Sequence, residues 1–239
     1  MSSLPLLLLP GTLCTGEVFT RQMDSLSAVC SDIRVVEFRL ERSIDEMALT
    51  ASRQIEKGEK IAVAGFSMGG MVALALAARF PGRIERIALL NSNCHGDAPE
   101  RREKRSQLVA EANSGSLRKV AKHGLLGSYL LHQRDTDRQL IQDMAEAHGP
   151  ASFAAQSQAL ASRRDRGEEL RGLHCPLLIL GSRHDILCPP SVQQEMHGMA
   201  AHSHLVMLED SGHFSLLEQP DEVSAALTDW YLGRPPYRR

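Results

Sequence analysis

Ser67 sits in Gly65-Phe66-Ser67-Met68-Gly69, a Gly-x-Ser-x-Gly pentapeptide. An apolar run, Ile61-Ala62-Val63-Ala64, leads into it, and a second, from Met71 through Ala78, leads out. A serine on a sharp strand-to-helix turn has its hydroxyl lifted above the sheet edge. The flanking glycines remove side chains that would clash where the backbone doubles back. That geometry suits a nucleophile. The pentapeptide alone also describes an ordinary glycine-rich loop, so the strand before it and the helix after it give it chemical meaning.

A serine hydroxyl is a poor nucleophile at neutral pH. It needs a base to take its proton, and the base needs an acid to hold its tautomer. On open α/β sheets chemistry collects beyond the carboxyl ends of the strands, so the partners are expected just after late strands. Asp185 follows the strand ending at Leu180, within Gly181-Ser182-Arg183-His184-Asp185, and His213 follows the strand ending at Leu208, within Glu209-Asp210-Ser211-Gly212-His213. The order Ser, Asp, His is the order of hydrolases built on this elbow. His184 is the rival base and Asp97, beyond the strand ending near Leu90, the rival acid. Asp210 lies so near His213 that it reads as shaping the loop. Two backbone donors are needed for an oxyanion. Met68 at the helix start supplies one, and the loop Pro10-Gly11-Thr12-Leu13-Cys14 the other, with Thr12 the first choice and Leu13 the second.

The elements that must position these residues alternate along the chain. Strands are expected at Leu6 to Leu9, Ile33 to Phe38, Ile61 to Ala64, Ile84 to Leu90, Pro176 to Leu180 and His204 to Leu208. Helices are expected at Glu17 to Val29, from Ser43 with a Ser43/Glu46 capping box to a stop at Gly58, from Met68 to Phe80, at Ser191 to Ala200 and at Asp221 to Leu232. Strands that are apolar throughout and alternate with helices make a mostly parallel sheet of about six to seven strands, with helices on both faces. The rhythm stops between Asp97 and Gly167. That stretch is charged and helical, with Arg101-Arg102-Glu103-Lys104-Arg105 at one end and Arg163-Arg164-Asp165-Arg166 at the other. The organisation is therefore a core in two parts, 1–96 and 169–239, interrupted by a helical insertion, 97–168. The tail from Arg234 to Arg239 reads as loose.

The 239 residues carry a formal net charge of -2, with 43% hydrophobic and 23% charged residues. That balance gives no reason to expect a nucleic acid partner. Leu4 to Pro10 is apolar but short, has no Lys or Arg before it and no small-residue cleavage site after it, so it reads as a buried strand rather than a signal peptide. No stretch is long enough for a membrane span. No phosphate-binding glycine loop is present. Cys14, Cys30, Cys94, Cys175 and Cys188 lack Cys-x-x-Cys spacing. They read as free thiols in a reducing, cytoplasmic compartment, without a zinc site or disulfide framework. Cys14, Cys94 and Cys188 follow predicted strands and read as small apolar filler.

Taken together, Leu-Pro-Gly-Thr-Leu at Leu9 to Leu13, the Ser67 elbow, Gly-Ser-Arg-His-Asp ending at Asp185 and the Ser-Gly-His-Phe-Ser segment around His213 resemble the α/β-hydrolase fold superfamily, in particular its small cap-bearing esterase-like members. The resemblance spans nearly the whole chain. It implies acyl transfer through an acyl-enzyme on a small or medium ester, with no cofactor and no metal, and a cap at 97–168 that shapes the acyl pocket. Thioester, carbon–carbon bond or peracid chemistry would use the same triad. A small-molecule receptor on the same fold is the non-enzymatic alternative. Many relatives have His-Gly where this chain has Pro10-Gly11, and the sheet is expected to have fewer than the family's usual eight strands. The layout also resembles the esterases that demethylate a pimeloyl carrier protein, which meet an acidic partner through cap arginines. Here Arg134 and Arg138, four apart with Asp135 and Asp137 among them, read instead as a solvated helix face. Leu125, Leu126, Tyr129 and Leu130 either line the pocket or hold the cap helices together.

Overall fold

A computed structural model describes residues 4–121, 129–200 and 202–234. Its centre is a six-stranded, entirely parallel sheet built from β1 (Leu6–Leu9), β2 (Ile33–Val35), β3 (Ile61–Phe66), β4 (Ile84–Leu90), β5 (Leu177–Ser182) and β6 (Ser203–Leu208). The spatial order is β2-β1-β3-β4-β5-β6. Because side chains alternate across a strand, the sheet splits its apolar residues between two cores. Leu6, Leu8, Ala62, Ala64, Ala88, Leu90, Leu178 and Leu180 face one, and Leu7, Leu9, Val63, Ile87, Leu89, Leu177 and Ile179 face the other. On the first face pack α1 (Met23–Ser27) and α9 (Pro220–Leu232), through Leu26, Leu227 and Trp230. On the second pack α2 (Ile44–Ser52), α3 (Met68–Arg79) and α8 (Pro190–Met199), through Met47, Val72, Leu74 and Met196. This two-sided burial is why the strands carry no polar alternation.

Three local expectations need correction. The segment after β1 is a 3-10 turn over Gly16–Gln22 before the short α1, not one helix to Val29. Val18 and Thr20 are β-branched and fit an α-helix poorly, and the buried Gln22 side chain is held at the Leu216 carbonyl, 2.9 Å away. The Ser43 hydroxyl accepts the Glu46 N–H at 3.1 Å as a capping box requires, but the Glu46 carboxylate accepts the Arg42 N–H at 2.7 Å rather than that of Ser43. Finally, α2 ends at Ser52, and Gly58, at φ +84°, serves the turn that enters β3.

Between β4 and β5 the chain forms α4 (Pro99–Glu111), the short α5 (Leu117–Lys119), the long α6 (Asp135–Ala161), which breaks at Gly149-Pro150, and α7 (Gly167–Arg171). Proline lacks the N–H that would continue the ladder, and Gly149 takes φ 74°, ψ 171° to turn the corner. Ile141, Met144 and Phe153 of α6 join the first core. Buried Asp137 accepts the Arg21 guanidinium at 2.5 Å. The insertion is thereby anchored to the sheet domain by packing as well as by charge.

Candidate active site

Everything that could act on a substrate lies beyond the carboxyl ends of β1, β3, β4, β5 and β6. Ser67 follows β3 directly at φ 52°, ψ -115°, a conformation that L-residues avoid. It is held there by two bonds: its N–H donates to Leu90 O at 2.8 Å, and its carbonyl accepts the Ser92 hydroxyl at 2.7 Å. The turn is possible only without side chains at its flanks. A Cβ on Gly65 would come within 2.3 Å of the Gly69 backbone, and one on Gly69 within 1.9 Å of Leu9 O. The elbow therefore closes by direct contact between the start of α3 and the ends of β1 and β3.

The Ser67 hydroxyl is 2.9 Å from His213 Nε2, and His213 Nδ1 is 2.8 Å from Asp185 Oδ2. The chain thus brings together Ser67, Asp185 and His213, and not their rivals. His184 is exposed. Asp97 is buried but turns to Arg105 and Arg163, at 2.9 and 2.7 Å. Asp210 is on the surface, 3.2 Å from His132. Phe66 and Phe214 pack on the His213 ring with centroids 5.2 and 5.8 Å away, and the His213 N–H donates to Tyr129 O at 2.7 Å. The imidazole is therefore fixed in position and orientation.

Asp185 is fully provided for. Its Oδ1 accepts the Leu187 and Cys188 N–H groups at 2.8 and 2.9 Å, and its Oδ2 accepts the Asn91 amide at 2.9 Å besides His213. Burial works to raise its pKa. The charge and hydrogen bond of His213, the Cys188 N–H and Asn91 outweigh it and hold the carboxyl below the usual carboxylate range. A second layer fixes Asn91: its amide also donates to Ser182 Oγ at 2.9 Å, its oxygen accepts the Ser215 hydroxyl at 2.6 Å, and Ser211 donates to Ser182 at 2.8 Å. Asn91, Ser182, Ser211 and Ser215 escaped sequence reasoning. The available signal was a run of small polar residues directly after apolar strands, where burial demands partners.

The loop after β1, Pro10 to Cys14, is organised from the insertion. Leu13, at φ 56°, donates its N–H to Gln156 Oε1 at 2.8 Å, and Gln156 Nε2 donates to Phe38 O at 2.5 Å. His148 Nε2 donates to Cys14 O at 3.1 Å, and burial lowers its pKa so that the ring is neutral. The Leu13 amide, the second choice for an oxyanion donor, is therefore already used. Among the described residues, no acceptor takes the Thr12 or Met68 N–H.

Beside Ser67 opens a cleft of about 780 Å³, counting its solvent-filled mouth. Apolar Leu13, Met71, Ile141, Ala145 and Leu160 line it, and so do Asn93, Tyr129 and three arginines, Arg101, Arg105 and Arg163. Tyr129 lines the cleft whereas Leu130 is buried in the core; Leu125 and Leu126 lie outside the described residues. Arg134 is exposed and Arg138 partly exposed on α6. Cys14 and Cys188 also line the cleft, but burial pushes both thiols up to about 12, so they stay protonated and unreactive at neutral pH. Asp185, Cys188 and His213 bring donor atoms within 4.8 Å of one another. That trio does not suit a metal: both imidazole nitrogens and both carboxylate oxygens are already engaged and the thiol keeps its proton. No helix among the described residues is long and apolar enough to cross a membrane.

Comparison with known proteins agrees with this architecture. Residues 30–220 match the family described as alpha/beta hydrolase fold. The pimeloyl-[acyl-carrier protein] methyl ester esterase of Neisseria meningitidis is 29% identical over 180 residues, covering 72% of this chain and 69% of that protein. A thermophilic esterase from Thermogutta terrifontis superposes with a TM-score of 0.87 at 24% identity, over 97% of this chain and 90% of that one. The enol-lactonase from Burkholderia xenovorans superposes with a TM-score of 0.84 at 22% identity, over 97% and 92%.

Proposed function

The chain belongs to the alpha/beta hydrolase family, and from that premise we propose that it is a serine esterase acting on a small or medium acyl ester. Ser67 Oγ attacks the ester carbonyl while His213 Nε2 takes the hydroxyl proton. Asp185 keeps the Nδ1 proton in place and stabilises the imidazolium that forms. The Thr12 and Met68 N–H groups receive the oxyanion. His213 returns its proton to the departing alcohol. A water, activated by the same imidazole, then releases the acid and restores Ser67. The observation that carries this reading is the unbroken relay from Ser67 Oγ at 2.9 Å to His213 and at 2.8 Å on to Asp185, opening on a partly apolar cleft.

The insertion at 97–168 serves as the cap that walls this cleft. A reducing, cytoplasmic setting is consistent with five unpaired thiols. The meningococcal relative favours one second reading, in which the ester is a methyl ester on an acyl chain borne by a carrier protein. Hydrolysis of p-nitrophenyl butyrate tests the main reading. Ser67→Ala is expected to lower kcat/KM at least about a thousandfold and to abolish labelling by a fluorophosphonate probe. Turnover that survives Ser67→Ala in a folded protein would refute the mechanism.

A further inference from the structure

The two arginine-bearing stretches at opposite ends of the insertion meet at the cleft beside Ser67. Arg101 and Arg105, four apart on α4, and Arg163, just after α6, all line it. One carboxylate serves them. Asp97, whose side chain is 0% exposed, accepts Arg105 Nε on Oδ2 at 2.9 Å and Arg163 on Oδ1 at 2.7 Å. The Arg101 guanidinium has no acid among the described residues; its two terminal nitrogens both lie 3.3 Å from the Leu187 carbonyl. None of the other acids pairs with an arginine of this group: Asp165 and Glu195 contact His95, and Asp185 contacts His213. Three guanidiniums are thus paired with one carboxylate, and the stretch of wall formed by Arg101, Arg105 and Arg163 carries a positive excess.

Arg101 is exposed and its charge solvated, whereas Arg105 is half-buried and Arg163 buried, so the cost of the excess falls on the inner two. Burial and the neighbouring Arg105 both work against the charge of Arg163, which Asp97 sustains. A wall like this gains stability from an anion, and the planar guanidinium fork matches a carboxylate or phosphate with two parallel bonds. Ile141, Ala145 and Leu160 give the same cleft an apolar stretch of wall that suits a short methylene chain.

We infer that the ester substrate carries an anionic group, a carboxylate or phosphate, remote from the scissile carbonyl, and that it docks on Arg101 and Arg105 while the chain between lies along the apolar wall. The inference rests on the esterase reading above. It predicts selectivity for charged acyl groups over neutral ones of equal length.

The test compares p-nitrophenyl butyrate with the mono-p-nitrophenyl ester of glutaric acid, its methyl-capped neutral counterpart and an acyl ester ending in phosphate. The charged esters are expected to show kcat/KM at least tenfold above the neutral ones, equivalent to about 1.4 kcal/mol, and the advantage shrinks with added salt. Which charged ester leads identifies the anion. Arg101→Gln is expected to lower the charged-to-neutral ratio several-fold. Arg118→Gln, which removes an exposed arginine paired with Glu146, keeps the ratio of the unmodified protein. Equal rates for charged and neutral esters would overturn the inference and leave the esterase reading intact, and so would an equal fall of the ratio in both variants. Failure to turn over any of the four would overturn the esterase reading instead.

Discussion

Asp185 and Asp97, two buried carboxylates beside the cleft, sit in opposite electrostatic situations. Asp185 is surrounded by neutral donors and one imidazole, each of its oxygens is satisfied from within the protein, and its partners are themselves tied by Asn91, Ser182, Ser211 and Ser215. Asp97 is outnumbered by cations that line the cleft. The first arrangement is complete before any substrate arrives, which is what preorganised catalysis requires. The second is short of negative charge, which is what recognition of an anion requires. The same fold edge thus separates a polar network closed on itself from one left open.

Substitutions on each side can break that contrast. The largest effect is expected at Asp185. Asp185→Asn keeps the size of the side chain but no longer fixes the His213 tautomer, and kcat is expected to fall about 10³- to 10⁴-fold, read by p-nitrophenyl butyrate hydrolysis with a native-like melting curve. A small loss would mean that the network, not the charge, does the work. Next is Asp97→Asn, which leaves buried Arg163 without its counter-charge. Unfolding by urea is expected to show a loss of about 3 kcal/mol, with far less effect on kcat than at Asp185.

Both carboxyls also govern acid stability. Burial raises the Asp97 pKa, but Arg105 and Arg163 more than offset it, and Asp185 is likewise held low. Carboxyls depressed in the folded state stabilise it above the unfolded value of about 3.9, and that contribution is lost as pH falls toward the folded values. The melting temperature is therefore expected to drop below about pH 4, less steeply in Asp97→Asn. An acid limb of the same slope in the variant would remove Asp97 from the account. The smallest effect is expected at Gln156. Gln156→Leu frees the Leu13 N–H and loosens the oxyanion loop, so kcat is expected to fall about tenfold with little change in KM.

That Ser67, Asp185 and His213 come together was legible in the sequence because each follows its own apolar strand. Ser67 directly follows β3, and Asp185 and His213 come within a few residues of the ends of β5 and β6. Strand periodicity and chain order are local signals, and they sufficed. What supports the relay was not legible, because it depends on residues far apart in the chain. Gln156 meets Leu13 across 143 positions and Asn91 meets Asp185 across 94. The ends of the insertion were visible only as runs of charge, and nothing in their spacing says that Arg101, Arg105 and Arg163 share one cleft. Backbone strain was hidden at Leu13 and Asn91, unlike at Ser67, whose sharp turn the flanking glycines announced: both adopt positive φ beyond β1 and β4, imposed by tertiary contacts on a leucine that avoids it and an asparagine that tolerates it.

The bond from Gln156 to the Leu13 amide bears on how such proteins can be recombined. A glutamine on α6 holds the loop after β1 while its other end grips Phe38 O after β2. The insertion is therefore not an interchangeable module. A chimera that grafts a foreign segment between β4 and β5 must bring an acceptor to Leu13 and a donor to Phe38, or it inherits the nucleophile and its base with an oxyanion loop left unbraced. Replacing the insertion would in this protein also remove the brace between the loops after β1 and β2.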